Sequence, residues 1–284
     1  MGAGSLCYNS SVGKLYLVAT PIGNLEDITL RALRILQEVN LIAAEDTRRT
    51  RKLLRHHGIQ TPLISYHEHN KEARREALLK ALAEGDLALV SDAGTPGLSD
   101  PGYELIQAAL EEGHVVHPIP GPSAPVAALV ASGFPSDQFI FLGYLPRRRQ
   151  ERQQLLSALK MEPRTAICFE APHRLYDSLG DMLAAWGGER RVAICRELTK
   201  LHEEILRGPL NEIAAQVKAR EPRGEYTIVV EGAQGERRWS EAEVRAALAD
   251  HLRAGLSPSQ AARELASISG WRRQDIYRLG LEEP

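Results

Sequence analysis

Cysteine is scarce. Only Cys7, Cys168 and Cys195 occur in 284 residues, and no CxxC pair is among them. An odd, scattered set argues against a disulfide framework and a cysteine-based zinc site, and it fits a reducing compartment. Long apolar runs are also missing: none approaches the ~18–20 residues that cross a bilayer. The opening MGAGSLCYNS has neither the basic nor the apolar region of a secretory leader, and Leu6 breaks the myristoylation pattern. A cytoplasmic protein is expected. Net charge is nearly absent, with 35 basic residues against 37 acidic ones. Together with 43% hydrophobic residues, this excludes disorder as the general state. The length suits two domains with a small appendage, at roughly 100–200 residues per domain. Lysine is the last scarcity: 7 lysines stand against 28 arginines. That bias reads either as a GC-rich genome or as planar, bidentate recognition of phosphate.

What is present alternates. Residues 1–13 are small and polar, and a flexible N-terminus is expected there. Apolar, β-branched stretches predict strands at 14–20, 41–46, 62–66, 86–92 and 114–119. Helices are expected from Asp27 and at 47–58, 72–83 and 103–112, two of them closed by Gly58 and Gly85. Such alternation argues for an α/β domain with a mainly parallel sheet over 14–120. The dense punctuation Gly121-Pro122-Ser123-Ala124-Pro125 marks a boundary. A second α/β domain, 121–235, follows, with strands at 138–145, 165–171, 191–198 and 225–232 and helices at 125–133, 173–187 and 209–220. A further helix is expected after the run Arg147-Arg148-Arg149-Gln150-Glu151-Arg152, reaching about Lys160. Its short connections allow antiparallel pairs. In the tail, 236–284, Ser240 with Glu243 forms a capping box, and Ser257-Pro258 with Gln260 opens another helix. With a third helix from Trp271 to Leu279, a small helical extension of the helix-turn-helix kind is expected.

The loop from Asp92 to Gly102 is the most informative stretch. It leaves a buried strand at its carboxyl end, where open α/β sheets bind ligands. It is long for a connection that usually takes ~2–6 residues. No GK[ST] follows and no GxGxxG is present, so neither a nucleoside triphosphate nor a dinucleotide is indicated. The turns ATPIGN (19–24) and GPSAP (121–125) end other strands on the same edge, so one composed site is expected. His67 and His69, and the adjacent His56 and His57, lack further ligands at metal-binding intervals, so no metal is expected. His67 reads better as a polar wall of the site. Arg48, Arg49, Arg51, Lys52 and Arg55, then Arg147 to Arg152, and Arg272-Arg273 concentrate positive charge. They read as solvated helix faces or as phosphate contacts for RNA. Tyr144, Tyr176 and Trp271 lie near them as candidate stacking residues, with core packing the alternative role for Tyr176.

Seven motifs then occur in order: YLVATPIGNLEDIT, AEDTRRTRKLL, SYHEHN, LVSDAGTPGLSDPG, PIPGPSA, FLGYLPR and FEAPHR. Over about Lys14 to Gly232 the chain resembles the bacterial small-subunit rRNA ribose methyltransferases of the tetrapyrrole-methylase superfamily, the class III S-adenosylmethionine enzymes. The resemblance implies two α/β domains with S-adenosylmethionine bent in the cleft between them, plus the helical extension. It assigns Pro21, Ile22, Gly94, Thr95, Pro96, Leu98, Ser123, Ala124, Phe169, Glu170, Tyr226 and Thr227 to the cofactor. It also implies a homodimer, and 2′-O-methylation of a cytidine ribose in 16S rRNA on the small ribosomal subunit, near the decoding centre.

The chemistry adds its own demand. A ribose hydroxyl is a poor nucleophile until its proton leaves, which calls for a positioned acceptor. Glu45, Asp46, His67, Asp92 and Glu197 are the polar candidates at strand ends, and the choice falls on Asp46 or His67. Arg48, Arg49, Arg51, Arg147, Arg148 and Arg149 are expected to hold RNA phosphates. Two other readings remain open: a tetrapyrrole C-methyltransferase of the same superfamily, and a ligand-sensing DNA-binding regulator using the tail. The arginine-rich segments, the ATPIGN turn and the helical tail separate the RNA enzyme from the first. Turnover separates it from the second.

Overall fold

The computed structural model describes residues 13–233, 239–266 and 268–282. All but Gly13 of the expected flexible N-terminus lies outside them, as do residues 236–238 of the tail. Strands β1 (Lys14–Val18), β2 (Leu41–Ala44), β3 (Leu63–Ser65), β4 (Leu87–Val90) and β5 (Val115–Ile119) form one sheet in the order β3-β2-β4-β1-β5. Every pairing in it is parallel. Parallel strands need helical crossovers, and these cover both faces. On one face Ala88 and Val90 pack with Ile35 and Leu36 of α1 (Leu30–Glu38) and Leu53 and Leu54 of α2 (Thr47–His56). On the other, Leu87 and Leu89 pack with Leu78 and Leu82 of α3 (Lys71–Glu84) and Leu105 of α4 (Tyr103–Glu111). Strand β4 therefore alternates between two cores, as a period of two requires. All five strands end on one edge, which gathers the loops that follow them.

The second sheet contains β6 (Phe139–Tyr144), β7 (Thr165–Glu170), β8 (Arg191–Arg196), β9 (Glu204–Pro209) and β10 (Tyr226–Val230), in the order β6-β7-β10-β8-β9. Only β6 and β7 run parallel. One face packs on α6 (Arg149–Ala158), α7 (Leu175–Trp186) and α8 (Leu210–Lys218) through Leu156, Leu179 and Ile213. The other packs on α5 (Ala124–Ser132), and Ile22 from the first half joins that core beside Cys195 and Leu198. Strand β9 has no counterpart in the sequence reading. It pairs antiparallel with β8 over six residues. The turn that starts the hairpin uses Glu197 at φ 51° and Thr199 at φ 66°. Left-handed backbone is ordinarily announced by glycine or asparagine, so this turn carried no signal.

In the tail, α9 (Glu241–Arg253), α10 (Pro258–Ala266) and α11 (Arg273–Glu282) pack on a core of their own that includes Val244, Leu248, Leu265 and Ile276. The Ser240–Glu243 capping box is present in both directions. The third helix starts two residues later than expected, because Trp271 turns inward and its Nε1 donates to Trp239 O at 2.6 Å. Among the described residues no helix is long and apolar enough to cross a membrane.

Candidate active site

The loops on the first sheet's carboxyl edge face the ends of β6, β7 and β10 across one pocket of about 290 Å³. This is the lower end of the ~300–1,000 Å³ usual for small-molecule sites. The expected long loop supplies Asp92, Gly94, Thr95, Leu98, Ser99 and Asp100. It is tied to the first turn by a two-way backbone bridge: Thr20 N donates to Gly94 O and Gly94 N to Thr20 O, both at 2.9 Å. Gly94 at φ 84° and Gly97 at φ 81° permit its sharp path. Ser99, at φ 63°, adopts the same region with a side chain, a conformation that concentrates at functional sites.

Of the twelve residues expected at the cofactor, all except Pro21 and Pro96 line this pocket. Pro96 is buried inside the loop that it shapes. The second half contributes rings: Phe169 lies 5.1 Å from Phe141 and 5.4 Å from Tyr144 between centroids. Tyr144 is therefore one stacking candidate that does reach the pocket. Tyr176 instead donates its hydroxyl to Arg220 O, and Trp271 belongs to the tail core.

The first half contributes carboxylates. Glu45, Asp92 and Asp100 line the pocket together with Arg49. Asp92 N donates to Glu45 Oε2 at 3.1 Å, Asp46 N donates to Asp92 Oδ1 at 2.9 Å, and Arg49 Nη1 stands 3.4 Å from Asp92 Oδ2. Burial pushes the Asp100 carboxyl up to about 6, the nearby negative charges of Glu45 and Asp92 add to this, and the Ser91 hydroxyl opposes it. Burial also raises Glu45. Asp100 did not stand out in the sequence. It looks like one more polar loop residue, and one of the charges that raise it, Glu45, comes from a distant part of the chain.

The two residues chosen as proton acceptors lie elsewhere. Asp46 caps α2, accepting from Arg48 N at 2.8 Å, and its carboxylate is chelated by Arg48 Nε at 3.1 Å and Nη2 at 2.8 Å. Those bonds hold it far below the usual carboxylate range, so it is a weak base. His67 donates its backbone N–H to Asn70 Oδ1 at 2.8 Å and buries Nδ1 without a partner. Neither residue lines the pocket. Glu197 is likewise structural: it accepts from Lys200 Nζ and from Glu225 N, both at 2.9 Å. Cys195 touches the pocket, yet burial pushes its thiol up to about 12, so it carries no nucleophilic thiolate near neutrality. Among the described residues no group of three His, Cys, Asp or Glu side chains is arranged for a metal ion.

The arginines sort by position. Arg49 is in the pocket wall, while Arg48, Arg51, Arg147 and Arg148 are exposed close to it in sequence, following Glu45 and Tyr144. Arg149 donates Nε to Asp181 Oδ1 at 3.2 Å. Arg152, read within the same basic run, is 4% exposed and locked on Asp181, so it is unavailable to phosphate.

An open parallel sheet facing a mixed sheet across a loop-built pocket is the architecture of a class of methyltransferases. The fold matches that of a cobalamin biosynthetic enzyme, cobalt precorrin-4 methyltransferase, with a TM-score of 0.59 at 17% identity over 77% of this chain and 94% of the other. It also matches uroporphyrin-III C-methyltransferase from Thermus thermophilus complexed with S-adenosylhomocysteine, with a TM-score of 0.55 at 19% identity over 77% and 97%. At these identities the likeness concerns the fold. The chain belongs to the tetrapyrrole (corrin/porphyrin) methylase family, which matches residues 14–214. Residues 240–283 match the RsmI C-terminal HTH domain. Relatives along nearly the whole length are named ribosomal RNA small subunit methyltransferase I. The one from Halalkalibacterium halodurans is 49% identical over 95% of this chain and 96% of the relative. The one from Escherichia coli O157:H7 is 47% identical over 97% of each. The protein is a methyltransferase that uses S-adenosylmethionine.

Proposed function

We propose that the protein methylates the ribose 2′-oxygen of a cytidine in 16S rRNA, on the small ribosomal subunit near the decoding centre. The carrying observation is the likeness to rRNA small subunit methyltransferases along the whole chain, tail included. The arginines beginning within three residues of the pocket's own lining support the same reading.

The pocket suits S-adenosylmethionine in its donor set. Phe169 and Tyr144 offer ring faces, Glu45, Asp92 and Asp100 offer negative charge to a cation, and the Gly94–Gly97 segment exposes backbone. When bound, S-adenosylmethionine supplies a methyl group on an already activated sulfonium. The chain's work is then alignment and proton removal. Ile22, Gly94, Thr95, Leu98, Ser123, Ala124, Phe169, Glu170, Tyr226 and Thr227 hold the donor, and Pro21 and Pro96 shape the turns behind it. Asp100 takes the hydroxyl proton, replacing Asp46 and His67 in that role. A carboxyl held near 6 is ionised at neutral pH and is a stronger base than Asp46. Arg48, Arg49, Arg51, Arg147, Arg148 and Arg149 hold RNA phosphates. The working unit is a cytoplasmic homodimer.

The test is transfer of labelled methyl to purified small subunits lacking the modification, beside naked rRNA, large subunits, duplex DNA and a porphyrinogen. Label on small-subunit RNA supports the proposal. Label on the porphyrinogen alone, or turnover with none of them, contradicts it.

A further inference from the structure

The basic turn after β6 is clamped from beneath by two arginines, Arg152 buried and Arg174 half-buried. Arg174, in the FEAPHR motif, donates Nη2 to Leu145 O at 2.6 Å, to Pro146 O at 3.2 Å and to Glu170 Oε2 at 3.2 Å. Its side chain is 15% exposed and that of Glu170 is fully buried. Arg152 donates Nη1 to the same Pro146 O at 3.3 Å and grips Asp181 Oδ2 with Nε at 2.9 Å and Nη2 at 2.6 Å. Two adjacent carbonyls are therefore held by two guanidiniums, each anchored on a buried carboxylate. The next residues are Arg147 and Arg148.

The two anchors differ in what else they touch. Asp181 sits on α7 away from the pocket, accepting also from Gln153 Nε2 at 2.8 Å and from Arg149 Nε at 3.2 Å. Glu170 ends β7 and lines the pocket. Arg174 thus joins the pocket wall to the turn that carries the exposed arginines. Glu170 keeps other donors of its own: Ala171 N at 2.8 Å and the Ser178 hydroxyl.

We propose that Arg174 is a positioning residue that sets Arg147 and Arg148 at a fixed offset from the methyl-donor pocket, so that bound RNA meets the donor in register. This rests on the substrate reading above. All three contacts are made by the one terminal nitrogen Nη2, while Nε is buried without a partner. The long, rigid guanidinium brings that nitrogen to two segments at once, whereas a lysine ammonium on a shorter, flexible stem keeps the charge and loses that fixed reach. Arg174→Lys therefore preserves neutralisation of Glu170 while loosening the turn.

The experiment compares wild type, Arg174→Lys, the double variant Arg147→Ala/Arg148→Ala, and the triple combination. The readouts are KM and kcat on small subunits, S-adenosylhomocysteine affinity, and the salt dependence of subunit binding. Arg174→Lys is expected to raise KM about 10-fold with kcat and S-adenosylhomocysteine affinity within about two-fold, and to flatten the salt slope by one to two phosphate contacts at about 0.7–0.9 each. In the Arg147→Ala/Arg148→Ala background it is expected to change KM no further, because contacts that are absent cannot be misplaced. A full additional KM effect in that background overturns the proposal. So does a parallel loss of S-adenosylhomocysteine affinity, which would make Arg174 a support of the pocket wall alone. If wild type methylates small subunits and Arg174→Lys leaves KM and salt slope unchanged, only the positioning role falls. If wild type places no methyl on small-subunit RNA, the substrate reading falls and takes this proposal with it.

Discussion

The two sheets bring opposite chemistry to the same pocket. The parallel sheet delivers polar loops, with Glu45, Asp92 and Asp100 on its side of the cavity. The mixed sheet delivers strand ends that carry rings, with Tyr144, Phe169 and Tyr226 on the other side. The difference follows from strand direction. Five parallel strands put every carboxyl end on one edge, so five loops converge there and backbone amides and acids gather. A sheet of mostly antiparallel pairs sends successive strands both ways. It offers the site fewer loops, and its contribution comes from side chains standing on the strands themselves. The first half thus carries acids on its loops, while the second carries rings on its strand ends with Glu170 and Glu225 beside them.

That division can be broken in order of expected effect. Gly94→Val places a β-branched residue at φ 84° in the loop that is bridged to Thr20. Distortion there costs about 1–3 kcal/mol of local strain, and loss of S-adenosylhomocysteine binding by calorimetry is the expected result. Asp100→Asn should slow methyl transfer by about 10²–10⁴-fold, the usual range for a lost general base, with S-adenosylhomocysteine affinity nearly unchanged. In the wild type the reactive form is the carboxylate, so the rate should rise as pH increases through about 6; the variant's profile should be flat there. The same carboxyl has a folded pKa above its unfolded value, so its stabilising contribution is full at low pH and lost as pH rises through about 6. Asp100→Asn should accordingly raise the Tm at pH 8 more than at pH 4. An unchanged pH–rate profile would move the proton acceptor to Glu45 or Asp92.

Phe169→Ala tests the aromatic side. Base–ring stacking is worth about 1–3 kcal/mol, so S-adenosylhomocysteine affinity should fall by about 10- to 100-fold while the pH profile keeps its shape. A shifted profile would show that the two walls are not separable. Asp46→Asn is the mildest case. Asparagine still caps a helix, so Tm should stay within a few degrees and transfer within a few-fold. A large loss of transfer would return Asp46 to the chemistry.

Much of this division was legible in the sequence because it is local. Apolar runs, glycine stops and the Ser240–Glu243 box are read within a few residues, and they mark ten strands but one. The exception, β9, starts from left-handed Glu197 and Thr199, residue types that do not advertise that conformation. The loop from Asp92 to Gly102 was conspicuous by length, and most of its expected residues do face the pocket. Basicity is a different matter. Asp46 and Asp100 are alike in sequence, and only the Arg48 chelate on one and the burial of the other set their basicities apart. The basic run 147–152 hid the same kind of distinction. Arg152, inside α6, packs inward onto Asp181, 29 residues away, whereas Arg148, the extended residue that precedes the helix, stays in solvent beside Glu151.

The most direct measurement is the chemical position of the transferred methyl. Small subunits lacking the modification would be labelled by the wild-type protein, their 16S rRNA digested to nucleosides, and the labelled nucleoside identified by mass and mobility. The account predicts a single product, 2′-O-methylcytidine, arising from one site and strongly reduced with Asp100→Asn. Label on a nucleobase, or spread over many ribose positions, would contradict it.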